Sequence, residues 1–315
     1  MKILSHEQII SLGISPATCV EWVRESFADK RSAQLPAKIS LHPQPDDFIN
    51  TMPCLLPAPR NRFGVKVVSR IAGAVPALRS LFLLYDARSG ETLALMDADW
   101  ITTMRTGAVA ALAQQTLRRS GPLVHAFIGL GNTARATLLC MLESEPDRPF
   151  QVLLLKHKGQ EASFIRRFEA YGNVSFQCVD SVRDLIAGSD VIFSCITKAD
   201  DLICPDDSLF RKGCLVIPVH TRGFQNCDLF FDKVFGDDTG HIRGFRYFDR
   251  FRYFAELGDV LDGSDPGREN NHERILSYNI GLGLHDLVFA DKVYRLLSGE
   301  GTEINLEKPS EKFWI

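Results

Sequence analysis

Gly129-Leu130-Gly131-Asn132-Thr133-Ala134 has the G-x-G-x-x-A spacing and lies between an apolar run at 123–128 and an amphipathic stretch at 134–142. Strand, glycine turn and helix in that order aim backbone N–H groups and the positive end of a helix at a pyrophosphate. Glycine turns also open helices for packing reasons, so the spacing alone says little; the flanking strand and helix give it meaning. Gly129, Gly131, Asn132, Thr133 and Ala134 are therefore expected to hold a dinucleotide. Ser194 and Thr197, after the fourth strand of such a fold, are expected to border its nicotinamide ribose. A fold that binds NAD(H) usually ends its second strand in an acid that accepts from the ribose 2′-OH, but here Leu155 is followed by Lys156-His157-Lys158. Cations in that place suit a 2′-phosphate, so NADP(H) is favoured over NAD(H); the alternative is a set of solvated loop charges.

About 120 residues precede this fingerprint and must do something else, which we read as binding the substrate. The chain has 315 residues, 45% hydrophobic and 24% charged, enough for two cores. A net charge of -3 offers no electrostatic case for nucleic acid or an anionic membrane. No apolar run is long enough to span a bilayer and the N-terminus lacks a secretory pattern, so a cytoplasmic location is expected. Eight scattered cysteines without a C-x-x-C pair suggest free thiols rather than a disulfide framework or a zinc knuckle.

Cys19, Val20, Val23 and Phe27 recur at helical spacing behind Ser15-Pro16, which predicts an N-capped helix over 16–30. Strands are expected at 63–68, 81–86 and 92–96, the last two forming a hairpin about Ala87-Arg88-Ser89-Gly90. A helix rich in small residues should run over 98–117. Beyond Gly121-Pro122, apolar runs at 151–155, 174–179, 191–194, 215–219 and 233–235 alternate with helical stretches at 162–171 and 182–187, the pattern of a parallel sheet with crossover helices. A last helix over 281–297 returns to the N-terminal part. The expected architecture is α/β: a Rossmann-type dinucleotide-binding domain at 121–281, and a discontinuous α+β substrate-binding and dimerisation domain at 1–120 and 282–315. Prolines 43, 45, 53, 57 and 59 leave the region around 41–56 without a clear local reading, and a specificity pocket is expected there.

Phe63-Gly64-Val65-Lys66, residues 86–91 (DARSGE), Met104-Arg105-Thr106-Gly107-Ala108, the glycine fingerprint, residues 256–263 (ELGDVLDG) and Tyr278-Asn279-Ile280-Gly281 through Asp286 follow one another over nearly the whole chain. Together they resemble the ornithine cyclodeaminase and mu-crystallin family. The resemblance implies a homodimer that moves a hydride between a nicotinamide and the Cα of a small amino or imino acid. It also implies cofactor contacts from Arg105, Thr106, Val219, Asn279 and Ile280, and substrate contacts from Met52.

That reaction needs fixed cations for the substrate carboxylate, facing the reactive ring. The resemblance nominates Lys66 and Arg105, with Lys38 where the family carries an arginine; lysine keeps the charge but not the bidentate fork. The alternatives are a snorkelling or outward Lys66 and an Arg105 that braces its own helix. His220 stands where cyclodeaminases of the family carry an aspartate. An imidazole, able to be neutral base or cation near pH 7, replaces a carboxylate that would attract an ammonium. Ornithine cyclisation is thereby put in doubt, while amino acid dehydrogenation and imine reduction remain compatible. His220 could also be a structural histidine satisfied by backbone at a strand end. Lys66 and His220 are the catalytic candidates; the competing reading is a catalytically inactive NADP(H)-binding protein.

The aromatic and basic stretch 244–254 is expected to pack its rings on the sheet with its arginines outward, not to bind single strands. His220, Cys227, Asp228 and His241 match no metal spacing, and no metal is expected.

Overall fold

The computed structural model describes residues 1–306 and 310–313. The chain opens with strand β1 (Lys2–Leu4) and helices α1 (His6–Ser11) and α2 (Pro16–Asp29). Strands β2 (Ile39–Leu41), β3 (Phe48–Leu56), β4 (Arg62–Arg70), β5 (Leu78–Asp86) and β6 (Thr92–Asp97) follow, then helix α3 (Asp99–Leu117). The middle runs β7 (Val124–Ile128), α4 (Asn132–Ser144), β8 (Phe150–Leu155), α5 (Gln160–Arg166), β9 (Val174–Val179), α6 (Val182–Gly188), β10 (Val191–Ser194) and β11 (Leu215–Pro218). The remainder holds α7 (Cys227–Phe230), β12 (Lys233–Gly236), α8 (Thr239–Ile242), β13 (Phe254–Glu256), α9 (Leu257–Leu261), β14 (Ile275–Tyr278), α10 (Gly283–Leu296) and β15 (Thr302–Glu303).

Two compact units emerge. The first comprises Met1–Gly13, Ser32–Thr102 and the residues from Asp286 onward; the second comprises Ile14–Arg31 and Thr103–His285. Helix α2 and most of α3 thus group with the dinucleotide fold, not with the strands beside them in sequence.

The first unit is built on a seven-stranded sheet ordered β15-β1-β6-β5-β4-β3-β2, antiparallel except where β1 lies parallel to β6. Strand β4 alternates strictly, with Gly64, Lys66 and Val68 buried and Val67 exposed, so one face packs inward. The region expected to be irregular contains β3 with Pro53 inside it. Leu55 donates its N–H to Gln34, so the missing N–H of Pro53, two residues earlier, lies on the same side. Strand β2 pairs only as far as Thr51 on that side, which is where a strand tolerates proline.

The second unit carries an eight-stranded, wholly parallel sheet ordered β13-β12-β14-β11-β10-β7-β8-β9. Every residue of β10, β11, β12 and β14 is buried, which explains the continuous apolar reading of β10 and β11. After β7 the chain turns to β8 and β9, then returns to β10 on the other side of β7. The carboxyl ends of β7 and β10 therefore flank a topological switch point, where doubly wound sheets bind nucleotides. Helix α2 starts as predicted, with Pro16 in its first turn and the Ser15 side chain accepting from the Thr18 N–H. Helix α5 is shorter than expected: residues 167–171 continue in turns bonded three residues back, although Phe164 and Phe168 keep the helical spacing and are both buried. Phe245, Phe248, Phe251 and Phe254 pack on the sheet core, while Arg246 and Arg250 lie over the Tyr247 ring.

Candidate active site

The glycine turn lets two strand ends meet and opens helix α4 without a side-chain cap. Gly129 adopts φ +82°, and a Cβ there would stand 2.9 Å from the Cys195 carbonyl group at the end of β10, so only glycine lets the two strand ends approach. Gly131 differs: a Cβ there would meet nothing within 4 Å. It is the N-cap of α4, and no side chain caps that helix, whereas Ser15 and Ser181 cap α2 and α6. The first N–H groups of α4, from Asn132 and Thr133 onward, are thus left to an anion in open space. Ala134 is fully buried and lets α4 pack closely on the sheet.

The strand ends beyond the turn bring further predicted residues together. Ser194, at the end of β10, and His220, just past β11, form a hydrogen bond of 2.7 Å between Oγ and Nε2. Burial lowers the His220 pKa to about 4, a hydrogen bond to the Arg222 backbone only partly opposing it, so the imidazole is neutral at pH 7. Val219 donates its N–H to Ser194, and Asn279 donates its own to Pro218, which places the residue after β14 on the same edge of the sheet. Burial pushes the Cys195 thiol up to about 12, which disfavours its thiolate near neutral pH. Thr197 lies exposed in the loop after β10.

Arg105 is buried in α3, its guanidinium lying against Gly281 so tightly that a Cβ there would stand 2.3 Å from Nη1. Thr106 is half-buried beside it in α3 and Ile280 is half-buried beside Gly281. Where the second strand of the fold ends, Lys156 forms an exposed ion pair with Asp180 at 3.0 Å. His157 and Lys158 are exposed, and Lys158 takes φ +51° ahead of Gly159 at +74°.

In the first unit Lys66 points inward, which removes the snorkelling and outward alternatives. It is fully buried, and its Nζ lies 2.8 Å from each carboxylate oxygen of Asp286. Met52, opposite Lys66 in the β3–β4 register, is buried as well. Lys38 is half-buried in the extended segment immediately before β2 rather than inside a strand.

Asp286 and Asp237 contact predicted site residues or the loop beside them, and the sequence reading left both unassigned. Asp286 closes the last motif and is the ion-pair partner of Lys66; Asp237 accepts from the Gly281 N–H at 2.7 Å and fixes the loop after β14. The only signal for the first was its place in a shared motif, and for the second an acid directly after an apolar strand. Among the described residues no group of three or more His, Cys, Asp or Glu is arranged to hold a metal ion, and no helix is long and apolar enough to cross a membrane. All eight cysteines are free thiols.

A parallel sheet with an uncapped, glycine-opened helix at its switch point defines a dinucleotide-binding protein of the doubly wound class. The chain belongs to the ornithine cyclodeaminase/mu-crystallin family, whose sequence model matches residues 2–301. It is 24% identical to the nodulation efficiency protein NfeD of Rhizobium meliloti over 96% of this chain and 98% of that protein. Its fold matches that of the Δ1-pyrroline-2-carboxylate reductase of Thermococcus litoralis, solved with NADH and L-proline, at a TM-score of 0.82, with 24% identity, 96% of this chain and 100% of that chain covered. It also matches an archaeal alanine dehydrogenase dimer with bound NAD at a TM-score of 0.83, with 22% identity, 98% of this chain and 99% of that chain covered.

Proposed function

We propose that this chain is a cytoplasmic, homodimeric NAD(P)-dependent oxidoreductase that moves a hydride to or from the Cα of a small amino or imino acid, with NADP(H) preferred over NAD(H). The observation that carries the reading is the Ser194–His220 pair, a neutral proton acceptor held at the strand ends beside an uncapped, glycine-opened helix. The dinucleotide, when bound, supplies or accepts the hydride.

Gly131 and the backbone N–H groups of Asn132 and Thr133 hold its pyrophosphate, and Gly129 and Ala134 let turn and helix close around it. Ser194, Thr197, Val219, Arg105, Thr106, Asn279 and Ile280 hold its nicotinamide side. Lys156, His157 and Lys158 receive the 2′-phosphate. The Lys156–Asp180 pair is exposed and screened by solvent, so a doubly charged phosphate displaces Asp180 at little cost.

Lys66, Arg105 and Lys38 hold the substrate carboxylate, with Met52 against its apolar part. Asp286 already neutralises Lys66, so a substrate carboxylate meets that ammonium as a second anion and needs a further cation for net attraction. His220 accepts the proton released from substrate nitrogen, or from attacking water, in the oxidative direction. With a pKa near 4 it is not the standing acid at pH 7, which leaves Lys66 as the proton-carrying candidate for imine reduction. An imidazole in place of a carboxylate removes the attraction for a substrate ammonium, and this speaks against ornithine cyclisation.

An apolar row on the exposed face of the first unit's sheet supports the dimer. Ile39 lies opposite Thr51, Thr51 opposite Val67 and Val67 opposite Leu81, with Leu41 two residues from Ile39 on the same face, and the four apolar members are all exposed. A contiguous patch of this kind marks an interaction surface.

The test is NADPH and NADH consumption by the purified protein with cyclic imino acids and with keto acids plus amines, and the reverse reaction with amino acids. Turnover is expected on at least one substrate, and His220→Ala should abolish it while leaving cofactor binding intact. The second reading, a binding protein without catalysis, is favoured by His220 and Lys38 standing where the family carries an acid and an arginine. Cofactor binding without turnover on any of these substrates would establish that second reading.

A further inference from the structure

At one end of the first unit's sheet the β3–β4 turn and the β5–β6 turn lie side by side. Ala87 donates its N–H to the Asn61 carbonyl at 3.0 Å and so ties the two turns together, while Asp86 Oδ1 accepts from the backbone N–H groups of Arg88 and Ser89 at 2.9 and 3.0 Å. Between these turns and the last turn of α10 lies an open cavity of about 380 Å³, lined by Arg60, Arg62, Arg88 and Arg295 with Asp86 as the one acid of its wall. A second acid, Asp291, is buried and lies outside that wall. It braces two of the cations: its Oδ1 accepts from Arg62 Nε at 2.6 Å, and its Oδ2 lies 2.8 Å from Arg295 Nη2. Arg88 is exposed, and its guanidinium makes no hydrogen bond or ion pair among the described residues. Four arginines against two aspartates leave a net charge of +2 around one small space. Like charges gathered in this way repel one another, and the repulsion is relieved when an anion enters.

We propose that this cavity is a phosphate-binding site, which takes the dianionic phosphate group of a small molecule in the first unit, apart from the glycine turn of the second. Its guanidinium groups come from three segments, the turn before β4, the turn after β5 and the end of α10, so they surround a centre rather than lie in one plane. A tetrahedral phosphate offers oxygens in three directions to such a set, whereas a carboxylate accepts mainly along the edges of one plane. The net charge of +2 matches a phosphate dianion. Asp86 does not stand in the way, because its Oδ1 is already occupied by the turn's own N–H groups. The cations are set in advance: Asp291 holds Arg62 and Arg295, and the bonded turns hold Arg60 and Arg88 at the mouth, so little ordering accompanies binding. Arginine also suits the task better than lysine, since its fork meets two phosphate oxygens at once. This inference does not depend on the dinucleotide reading.

The test is calorimetric titration of the full chain with inorganic phosphate, with glycerol 3-phosphate and with succinate, at constant ionic strength and with NADPH in excess so that the start of α4 is occupied. Phosphate and the ester should both bind and succinate should bind more weakly. Tighter binding of the ester identifies a phosphorylated metabolite as the source of the group, equal binding identifies the free ion, and either supports the inference. The double variant Arg88→Gln, Arg295→Gln should bind both about tenfold or more weakly. Its urea-unfolding midpoint should stay near that of wild type, which shows that the loss is not one of folding. Arg88→Lys keeps the charge without the fork and should lose less than Arg88→Gln. Unchanged phosphate affinity in the double variant overturns the inference, as do phosphate binding that NADPH abolishes, succinate bound as tightly as phosphate, and a wild type that takes up no phosphate. A protein that binds phosphate through these arginines but does not bind NADPH leaves this site standing and removes the dinucleotide reading alone.

Discussion

Replacing Gly107 with alanine places one methyl group where α3 meets α4. A Cβ there would stand 2.5 Å from the Ala136 carbonyl carbon, 2.6 Å from the Thr137 nitrogen and 2.7 Å from the Ala136 Cβ. Carbon contacts settle near about 3.5–4.0 Å, so α3 must withdraw by roughly 1 Å. Two effects oppose each other. Alanine is the better helix former by about 1 kcal/mol, whereas overpacking costs about 1–3 kcal/mol and the struck atoms are mostly backbone, which no rotamer change can relieve. With overpacking in the upper part of that range, about 2–3 kcal/mol, the net expectation is a loss of about 1–2 kcal/mol. The withdrawal also displaces Arg105, two residues earlier on α3, from the Gly281 backbone against which it packs, and cofactor affinity should fall with stability. Urea unfolding followed by fluorescence, with NADPH titration of the same samples, measures both. A Gly107→Ala protein as stable as wild type or more so, binding NADPH equally well, would refute this account of the α3–α4 contact and of its link to Arg105.

Three further outcomes follow from the site. Lys156→Asp should weaken NADPH binding by about tenfold or more while leaving NADH within a few-fold, read as the ratio of dissociation constants; equal losses for both cofactors would show that the end of β8 does not meet a 2′-phosphate. Oxidative turnover should be flat between pH 6 and 8 as far as His220 is concerned and should decline only as pH falls towards about 4; a rate limb near 6.5 that disappears in His220→Ala would contradict the burial argument. Asp228 is buried with its pKa raised to about 7, mainly by desolvation, so the folded state holds its proton between roughly pH 4 and 7 while the unfolded state has released it. Its contribution to stability is present at low pH and lost as pH rises through 7. Asp228→Asn keeps an acceptor for the Tyr278 hydroxyl and should abolish that loss, so that the variant gains about 3 kcal/mol on wild type between pH 5 and 8 in chemical denaturation. Parallel pH profiles for the two proteins would refute it.

Parts of this structure whose cause is local could be read from the residues. Ser15-Pro16 sets the start of α2, the glycine turn sits between an apolar strand and a helix, and strands buried on both faces announce themselves as continuous apolar runs. What escaped is what distant residues decide. Strand β14 is four residues long with a serine inside it, and it counts as a strand because it inserts between β11 and β12, out of sequence order. Periodicity predicted that α2 and α3 bury a face but not which unit receives it, since amphipathy records that water is excluded and not by what. Lys66 and Asp286 are separated by 220 residues, and neither signals the other. A lone lysine in an apolar strand reads as a cost until its counter-ion is found. Asn279 is a further case: its sequence context gives an amide after an apolar strand, an ordinary event, and only the fold shows both atoms of its carboxamide buried without a hydrogen bond. Legibility therefore fails where a side chain's partner lies far along the chain, because such a pairing leaves no local pattern in the sequence.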